Sequence, residues 1–310
     1  MISRRNIRIK VLQTLYQVET TGVEEKQPDP VKQLKAKYEE TSRLFVYLLY
    51  FITEVARYAE RDAGKRASKN IVTEEDLNIN TKIAGNLLLW KILDHPSFQK
   101  AVKEFKPFFP ESGEWIKKIY TRLTESTNYS NYIEIKDRPY NEEKEILIFI
   151  FSELMMLNEE FDAFMEEHFT CWDDDVQMMG PLMVNYLQKP GVYNLMQLAS
   201  DEKWNFGKDL LLAAIDKKDY LLETIKPRLK NWDPDRIAVL DMLIMRLGIC
   251  EFLYFDTIPP KVTINEYIDL AKEYSTPQSG FFVNGILDGI HKDLIKEGKM
   301  NKTDFRQQNA

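Results

Sequence analysis

Cysteine and histidine are nearly missing from this 310-residue chain, which has two of the first and three of the second. Cys171 and Cys250 lie far apart, and His95, His168 and His291 are scattered. No disulfide framework and no zinc-type ligand spacing can be built from them, so neither a structural metal nor a cofactor is expected. Glycine and proline are sparse, at 12 and 13 residues. Runs that alternate apolar and polar residues are rare while 3.6-residue periodicity is common, so the expected fold class is all-α. Positive charge is not in excess: the net charge is −7. That excludes coating nucleic acid by bulk charge, and any RNA contact needs a local basic patch or a partner. Long apolar runs are absent as well. The longest, Leu44–Ile52, is too short to span a bilayer as a helix. The basic N-terminus is followed by no secretory-type apolar core. A cytoplasmic protein without membrane contact is expected.

Helical patterns fill the chain. Residues 3–19 read as one helix, with Ser3 as N-cap and Ile7, Val11, Leu15 and Val18 as an apolar stripe. Gly22 and the segment 24–30 end it. A long helix is predicted over 31–66, and further helices over 71–142 with breaks at Pro96, Pro107, Pro110 and Pro139. The polar stretch 126–141 reads as a loop, 142–169 as one helix, and a shorter helix reaches Gln188. Lys189-Pro190-Gly191 is a strong stop. Four helices are then predicted at about 206–230, 234–254, 260–274 and 279–296. The second is apolar nearly all round, as the buried centre of a bundle would be. Asp233 is its predicted N-cap and Pro234 its first residue. Gly285 and Gly289 are expected where helices approach closely. Residues 160–187 align without gaps on 220–247, placing Trp172 on Trp232 and Asp173 on Asp233, an echo that shared capping needs also explain.

Two stretches resemble the NusB family of transcription antitermination factors. One is Arg4–Gln17 (RRNIRIKVLQTLYQ), a basic start followed by an apolar stripe and a Leu-Tyr pair. The other runs from about Asp233 to Ile290, with IPPKVTINEYIDLAKEYS (258–275) and FVNGILDGI (282–290) its most specific parts. The resemblance implies a NusB-like helical bundle with an additional helical insertion. Its first helix occupies 1–22, the insertion or partial duplication 23–200, the C-terminal part of the module 201–297, and a polar tail 298–310. It also implies a non-enzymatic, RNA-binding role. Such a protein pairs with the small-subunit ribosomal protein NusE and binds the boxA element of nascent ribosomal RNA. It then joins the RNA polymerase elongation complex with other Nus factors to suppress premature termination.

The residues suit that chemistry. Arg4, Arg5, Arg8 and Lys10 are four cations in seven residues, with no acid before Glu19. Arg5, Leu12 and Tyr16 share a narrow arc of the helical wheel, where a base can stack on Tyr16 while guanidinium groups hold phosphates. The bland alternative is a solvated helix start with Tyr16 at the edge of the core. Gln278, Ser279 and Phe282 lie at the predicted start of the last helix, whose backbone N–H groups attract phosphate; Phe282 is equally explained by packing. Together with Gln13 and Asp235 these are the candidate RNA contacts, Asp235 also having a sufficient role in helix capping. Asp241 and Arg246 are charges on an apolar helix, so they either pair internally or line a rim where a protein docks. With Lys261 and Glu266 they are the candidate protein-partner residues.

Two rival readings remain. One is a helical scaffold that binds proteins without RNA. The other is a magnesium-dependent helical enzyme using Asp173, Asp174 and Asp175, a triplet equally explained as the acidic first turn of a helix after Trp172. No strand and glycine-rich loop for a methyl donor follows the C-terminal module, which argues against a methyltransferase.

Overall fold

A computed structural model describes residues 2–21, 29–71, 73–77, 79–229, 237–300 and 302. Among them all regular structure is helical. The chain divides into two compact units. One comprises 1–2 and 37–199, the other 3–36 and 200–310, so that the division falls inside a single helix between Ala36 and Lys37.

Helix α1 (Arg4–Thr20) starts where Ser3 Oγ accepts the Asn6 backbone N–H, as the capping pattern predicts. Helix α2 (Pro30–Ala67) is the long helix expected from the sequence. The first unit continues with α3 (Glu74–Leu77), a 3₁₀ turn at Lys82–Gly85, α4 (Leu87–Leu93), α5 (Pro96–Phe105) and α6 (Ser112–Thr124). Pro96 sits at the first position of α5, where its missing N–H costs nothing, and Pro107 and Pro110 separate α5 from α6. The polar stretch 126–141 corrects the loop reading, because residues Thr127–Glu134 form α7. Ser126 caps it by accepting the Tyr129 N–H, and Tyr129 and Tyr132 bury one face despite the surrounding polarity.

The single helix predicted over 142–169 is also corrected. Helix α8 (Tyr140–Phe149) passes into a π-helical turn, Ile150–Met155, and the chain breaks before α9 (Glu159–His168). Asn158 is the reason: its side chain accepts the N–H groups of Glu160 and Phe161, which starts a new helix. Helix α10 (Trp172–Gln188) ends this unit's helices, and Gly191 at φ 87° supplies the left-handed turn of the predicted stop. Asp173, Asp174 and Asp175 lie in the first turn of α10; Asp175 is buried and accepts Thr41 Oγ1 at 2.6 Å. Among the described residues no three His, Cys, Asp or Glu side chains are placed to hold a metal ion.

Aromatic rings fill the first unit's core. Tyr47 lies 5.1 Å from Phe109 and 5.3 Å from Phe169, and Phe51 lies 5.1 Å from Phe161, centroid to centroid. These large side chains hold α2 against its neighbours at a distance set by ring size.

The second unit contains α1 and α11–α15. Helix α11 (Asp201–Asp216) is capped by Ser200, five residues earlier than the periodicity suggests. The stretch predicted as one helix to Lys230 breaks at Lys217 and resumes as α12 (Lys218–Ile225), with a 3₁₀ turn at Lys226–Leu229. Helix α13 (Val239–Tyr254) begins after Ala238, whose ψ of 137° is not helical, rather than at residue 234. The predicted cap Asp233, Pro234 and Asp235, and Trp232 of the echo, lie outside the described residues, as do Gly22 and most of 24–30. Helices α14 (Pro260–Tyr274) and α15 (Ser279–Lys296) fall where the sequence puts them. Among the described residues no helix is long and apolar enough to cross a membrane.

Helix α13 is the centre of this unit. It packs on α1, α11, α12, α14 and α15, and its residues Leu243–Phe252 are all buried. The glycine that permits close approach is Gly248. A Cβ there would lie 2.9 Å from Leu287 Cδ2 on α15 and 3.4 Å from Tyr267 Cδ2 on α14. Gly285, expected in that role, has nothing within 4 Å of an added Cβ, while Gly289 lies against the Arg228 guanidinium rather than another helix backbone.

Candidate nucleic-acid interface

The four cations of α1 do not form one basic face. Residues Asn6–Leu12 are buried all round the helix, including Arg8 at 2% and Lys10 at 1% relative exposure. Arg4 and Arg5 remain at the surface, together with Tyr16, which is 42% exposed. The shared arc of Arg5, Leu12 and Tyr16 is thus a boundary, since Leu12 is buried while the other two face outward. Gln13 is half-buried.

Arg8 is engaged by a buried acid that the sequence reading did not single out. Its Nε donates to Glu251 Oε1 at 2.6 Å and its Nη2 to Oε2 at 3.0 Å. Tyr267 Oη and Thr263 Oγ1 donate to the same carboxylate at 2.8 and 3.1 Å. Glu251, on α13, therefore accepts four hydrogen bonds from two other helices, α1 and α14. Burial is the largest influence and works against the Arg8 charge, but the Glu251 bond and charge, with Tyr267 and Glu266, together outweigh it and raise the pKa above the usual arginine value. Burial and the same carboxylate push the Tyr267 phenol up. Arg8 and Lys10 are corrected as RNA contacts: neither cation reaches the surface, and Arg8 is a structural pin between α1, α13 and α14. The available signal was Glu251 itself, an acid on a helix otherwise buried on every side.

Asp241 and Arg246, read as partner residues or internal pairs, pair internally. Arg246 is 1% exposed; it donates to Glu19 Oε1 at 3.0 Å and to the Ala214 carbonyl near the end of α11 at 2.7 Å. Lys218 also pairs with Glu19. Burial opposes the Glu19 charge, yet the bonds from Lys218 and Arg246 hold its carboxyl below the usual range. Asp241 is buried and accepts Ser279 Oγ at 2.9 Å, tying the start of α15 to α13. Lys261 is exposed and Glu266 half-buried, the latter 3.3 Å from Arg8.

What the second unit presents outward is a strip over three helices. Arg5 on α1 bonds Glu273 at 2.6 Å and lies 4.0 Å from both Glu266 and Asp269, all on α14. Lys272 lies 3.9 Å from Asp269, and its aliphatic chain covers Gly280, where a Cβ would come within 2.7 Å of Lys272 Cγ. Gly280 opens α15 beside exposed Gln278, buried Ser279, exposed Phe281 and half-buried Phe282. Arg4 stands at the other side, 2.8 Å from Glu202 and over the Phe206 ring. Between the first helix and the last stand α14, which Arg5 reaches, and α13, which packs on both. Asp269 and Glu273 went unnoticed in the sequence because only the packing places them beside Arg5, and Lys272 because only the packing lays it over Gly280. Asp235 lies outside the described residues.

Taken together, the chain is an all-helical protein whose second unit exposes a mixed charged and aromatic strip. Residues 181–292, somewhat over a third of the chain, match the NusB family. This stretch of the chain is therefore similar to the NusB family. Among its relatives are proteins named transcription antitermination protein NusB. That of Salinibacter ruber is 40% identical over 99 residues, 32% of this chain and 62% of the relative. That of Methylacidiphilum infernorum is 51% identical over 86 residues, 28% and 60% respectively. That of Finegoldia magna is 44% identical over 87 residues, 28% and 64%. The chain thus spans about three-fifths of the length of these relatives. The family match begins inside α10 and does not include α1. No solved structure matches the chain significantly.

Proposed function

We propose that this protein is a non-enzymatic, RNA-binding transcription antitermination factor. It pairs with the small-subunit ribosomal protein NusE, binds boxA of nascent ribosomal RNA, and joins the RNA polymerase elongation complex. The observation that carries this reading is the strip in which the two surface arginines of α1, the end of α14 and the first turn of α15 lie together in one unit. It supplies cations for phosphates and aromatic rings for bases, the combination that holds single-stranded RNA. Arg4, Arg5, Tyr16, Gln278 and Phe282 are its proposed contacts, with Gln13 and Ser279 at its edge. Lys261 and Glu266 on α14 are proposed to meet the ribosomal protein.

The test is a fluorescence-anisotropy titration of boxA-like RNA with and without that ribosomal protein across a salt series. Binding is expected to tighten with the partner and weaken with salt, and to weaken when Arg4 and Arg5 become alanine. Binding that ignores salt and partner alike would overturn the reading in favour of a protein-only scaffold.

A further inference from the structure

A cavity of about 330 Å³ opens between α7 and α8 in the first unit, outside the residues that match the NusB family. One wall carries the carboxamides of Asn128 and Asn131 on α7. The other carries Glu142 and Glu145 on α8 and Glu153 in the π-helical turn, a distortion that recurs at functional sites. Ile146, Phe149 and the Tyr132 ring give it an apolar part. Buried bonds hold the two helices at this spacing. Tyr132 Oη donates to Glu143 Oε1 at 2.8 Å, and Glu143 Oε2 accepts the Leu87 N–H at 2.6 Å. Asn86 Nδ2 donates to the Glu143 carbonyl at 2.7 Å, and Lys82 Nζ to the Tyr132 carbonyl at 2.6 Å. A cavity between pinned walls is pre-formed, so filling it orders little of the protein.

The lining selects what fills it. Glu145 pairs with Lys144 at 3.2 Å, but among the described residues Glu142 and Glu153 form no ion pair. Carboxylates and carboxamide oxygens accept hydrogen bonds, and an aromatic ring accepts a flat cation. An arginine side chain answers each part: its planar guanidinium donates in a fork and stacks on a ring, while its methylenes lie on apolar surface. The volume is at the lower end for ligand sites, which suits one side chain rather than a cofactor. The charge beyond the cavity extends the match. From Asp137 to Asp175 the chain carries thirteen aspartates and glutamates against Arg138 and Lys144 alone among lysines and arginines. Glu159, Glu160, Glu166, Glu167 and Asp173 are exposed. Asp173 foremost, with burial and Asp162, pushes the Glu166 carboxyl up, so like charges crowd there. Such a surface repels nucleic acid and attracts a basic polypeptide. A free small cation would answer the cavity alone; a basic segment answers the cavity and the acids beyond it. We propose that the cavity seats an arginine from a lysine- and arginine-rich segment of a partner protein. The site does not depend on the RNA-binding reading above.

The experiment titrates the full-length chain against a fluorescein-labelled peptide of alternating arginine and glycine, and against its lysine counterpart, at physiological salt. The arginine peptide is expected to bind roughly fivefold tighter or more. Glu142→Gln with Glu153→Gln should weaken it roughly tenfold or more through lost charge-assisted hydrogen bonds. The charge-matched pair Glu159→Gln with Glu167→Gln should weaken it no more than about threefold. Asn131→Trp, which fills the mouth without changing the charge, should weaken it as the cavity pair does. Equal losses in the two double variants, or full affinity in Asn131→Trp, overturn the site in favour of diffuse charge attraction. Equal binding of the two peptides overturns the assignment to arginine. Spermidine binding as tightly as the arginine peptide overturns it in favour of a free small cation, and no binding by the wild-type chain overturns it outright. Thermal melts should stay close to wild type, since Asn131 and Glu153 are exposed and Glu142 is half-buried. The cavity pair and Asn131→Trp test the site separately, so loss of fold in one leaves the other decisive.

Discussion

Arg8 and Glu251 meet through two hydrogen bonds, at 2.6 and 3.0 Å, with side chains 2% and 0% exposed. They stand 243 residues apart in the chain, and their pairing pins the first helix to the centre of the second unit. A buried pair of this type contributes little against a hydrophobic alternative, but removing one partner leaves an uncompensated charge.

Arg8→Ala is therefore expected to destabilise the second unit by about 3–5 kcal/mol. Arg5→Ala, which breaks only surface ion pairs, should cost no more than about 1 kcal/mol. Urea denaturation checks the contrast. Equal, small effects for both would show that the Arg8 pair does not hold α1 in place.

Removing the acids around Arg5 should strengthen RNA binding. Asp269 and Glu273 lie within 4.0 Å of its guanidinium and compete with phosphate for it. Asp269→Asn with Glu273→Gln is expected to raise RNA affinity roughly two- to tenfold at low salt, the gain fading as salt screens exposed charges. Unchanged or weaker binding in an anisotropy titration would place the RNA elsewhere.

Acid should loosen the second unit through Glu19. Its folded pKa lies below the ordinary 4.5, so the stabilisation it gives is complete above 4.5. That stabilisation is lost as pH falls from 4.5 through the folded value, because the unfolded chain takes up the proton first. The stability of Glu19→Gln should consequently fall less steeply than wild type below pH 4.5. Parallel stability curves from chemical denaturation at several pH values would contradict this.

Gly248→Ala tests the tightest helix crossing. The new methyl would sit 2.9 Å from Leu287 Cδ2, and Leu287 is fully buried with little room to withdraw. A loss of about 1–3 kcal/mol is expected from overpacking. Gly285→Ala, with open space around it, should instead stabilise by up to about 1 kcal/mol through helix propensity. Thermal melts of the two variants should move in opposite directions.

The local rules written in the sequence account for much of the fold. Ser3, Pro96 and Gly191 stop or start elements through side-chain or backbone chemistry that acts within a few residues, so they were legible in advance. The same holds for the bounds of α14 and α15. Where reading failed, a short-range polar contact stood against composition: Ser126 caps a helix within a polar stretch, and Asn158 breaks a long one. The candidate site was legible only in outline. The motifs pointed to α1 and α15, and residues 181–292 do match the family, but helical wheels placed Arg8 and Lys10 in solvent and passed over Phe281.

The amino-acid sequence alone determined an all-helical chain, the bounds of α1, α2, α14 and α15, and the resemblance of its C-terminal part to the NusB family, because capping, periodicity and motif spacing are local properties. The tertiary structure decided which cations are available. A wheel cannot show that Arg8 faces Glu251, or that Arg5 lies among three carboxylates of α14, since those partners arrive from more than 240 residues away. It also decided that Phe281, rather than Phe282, is the ring turned to water, because Asp241 and Lys272 fix the angle at which α15 begins.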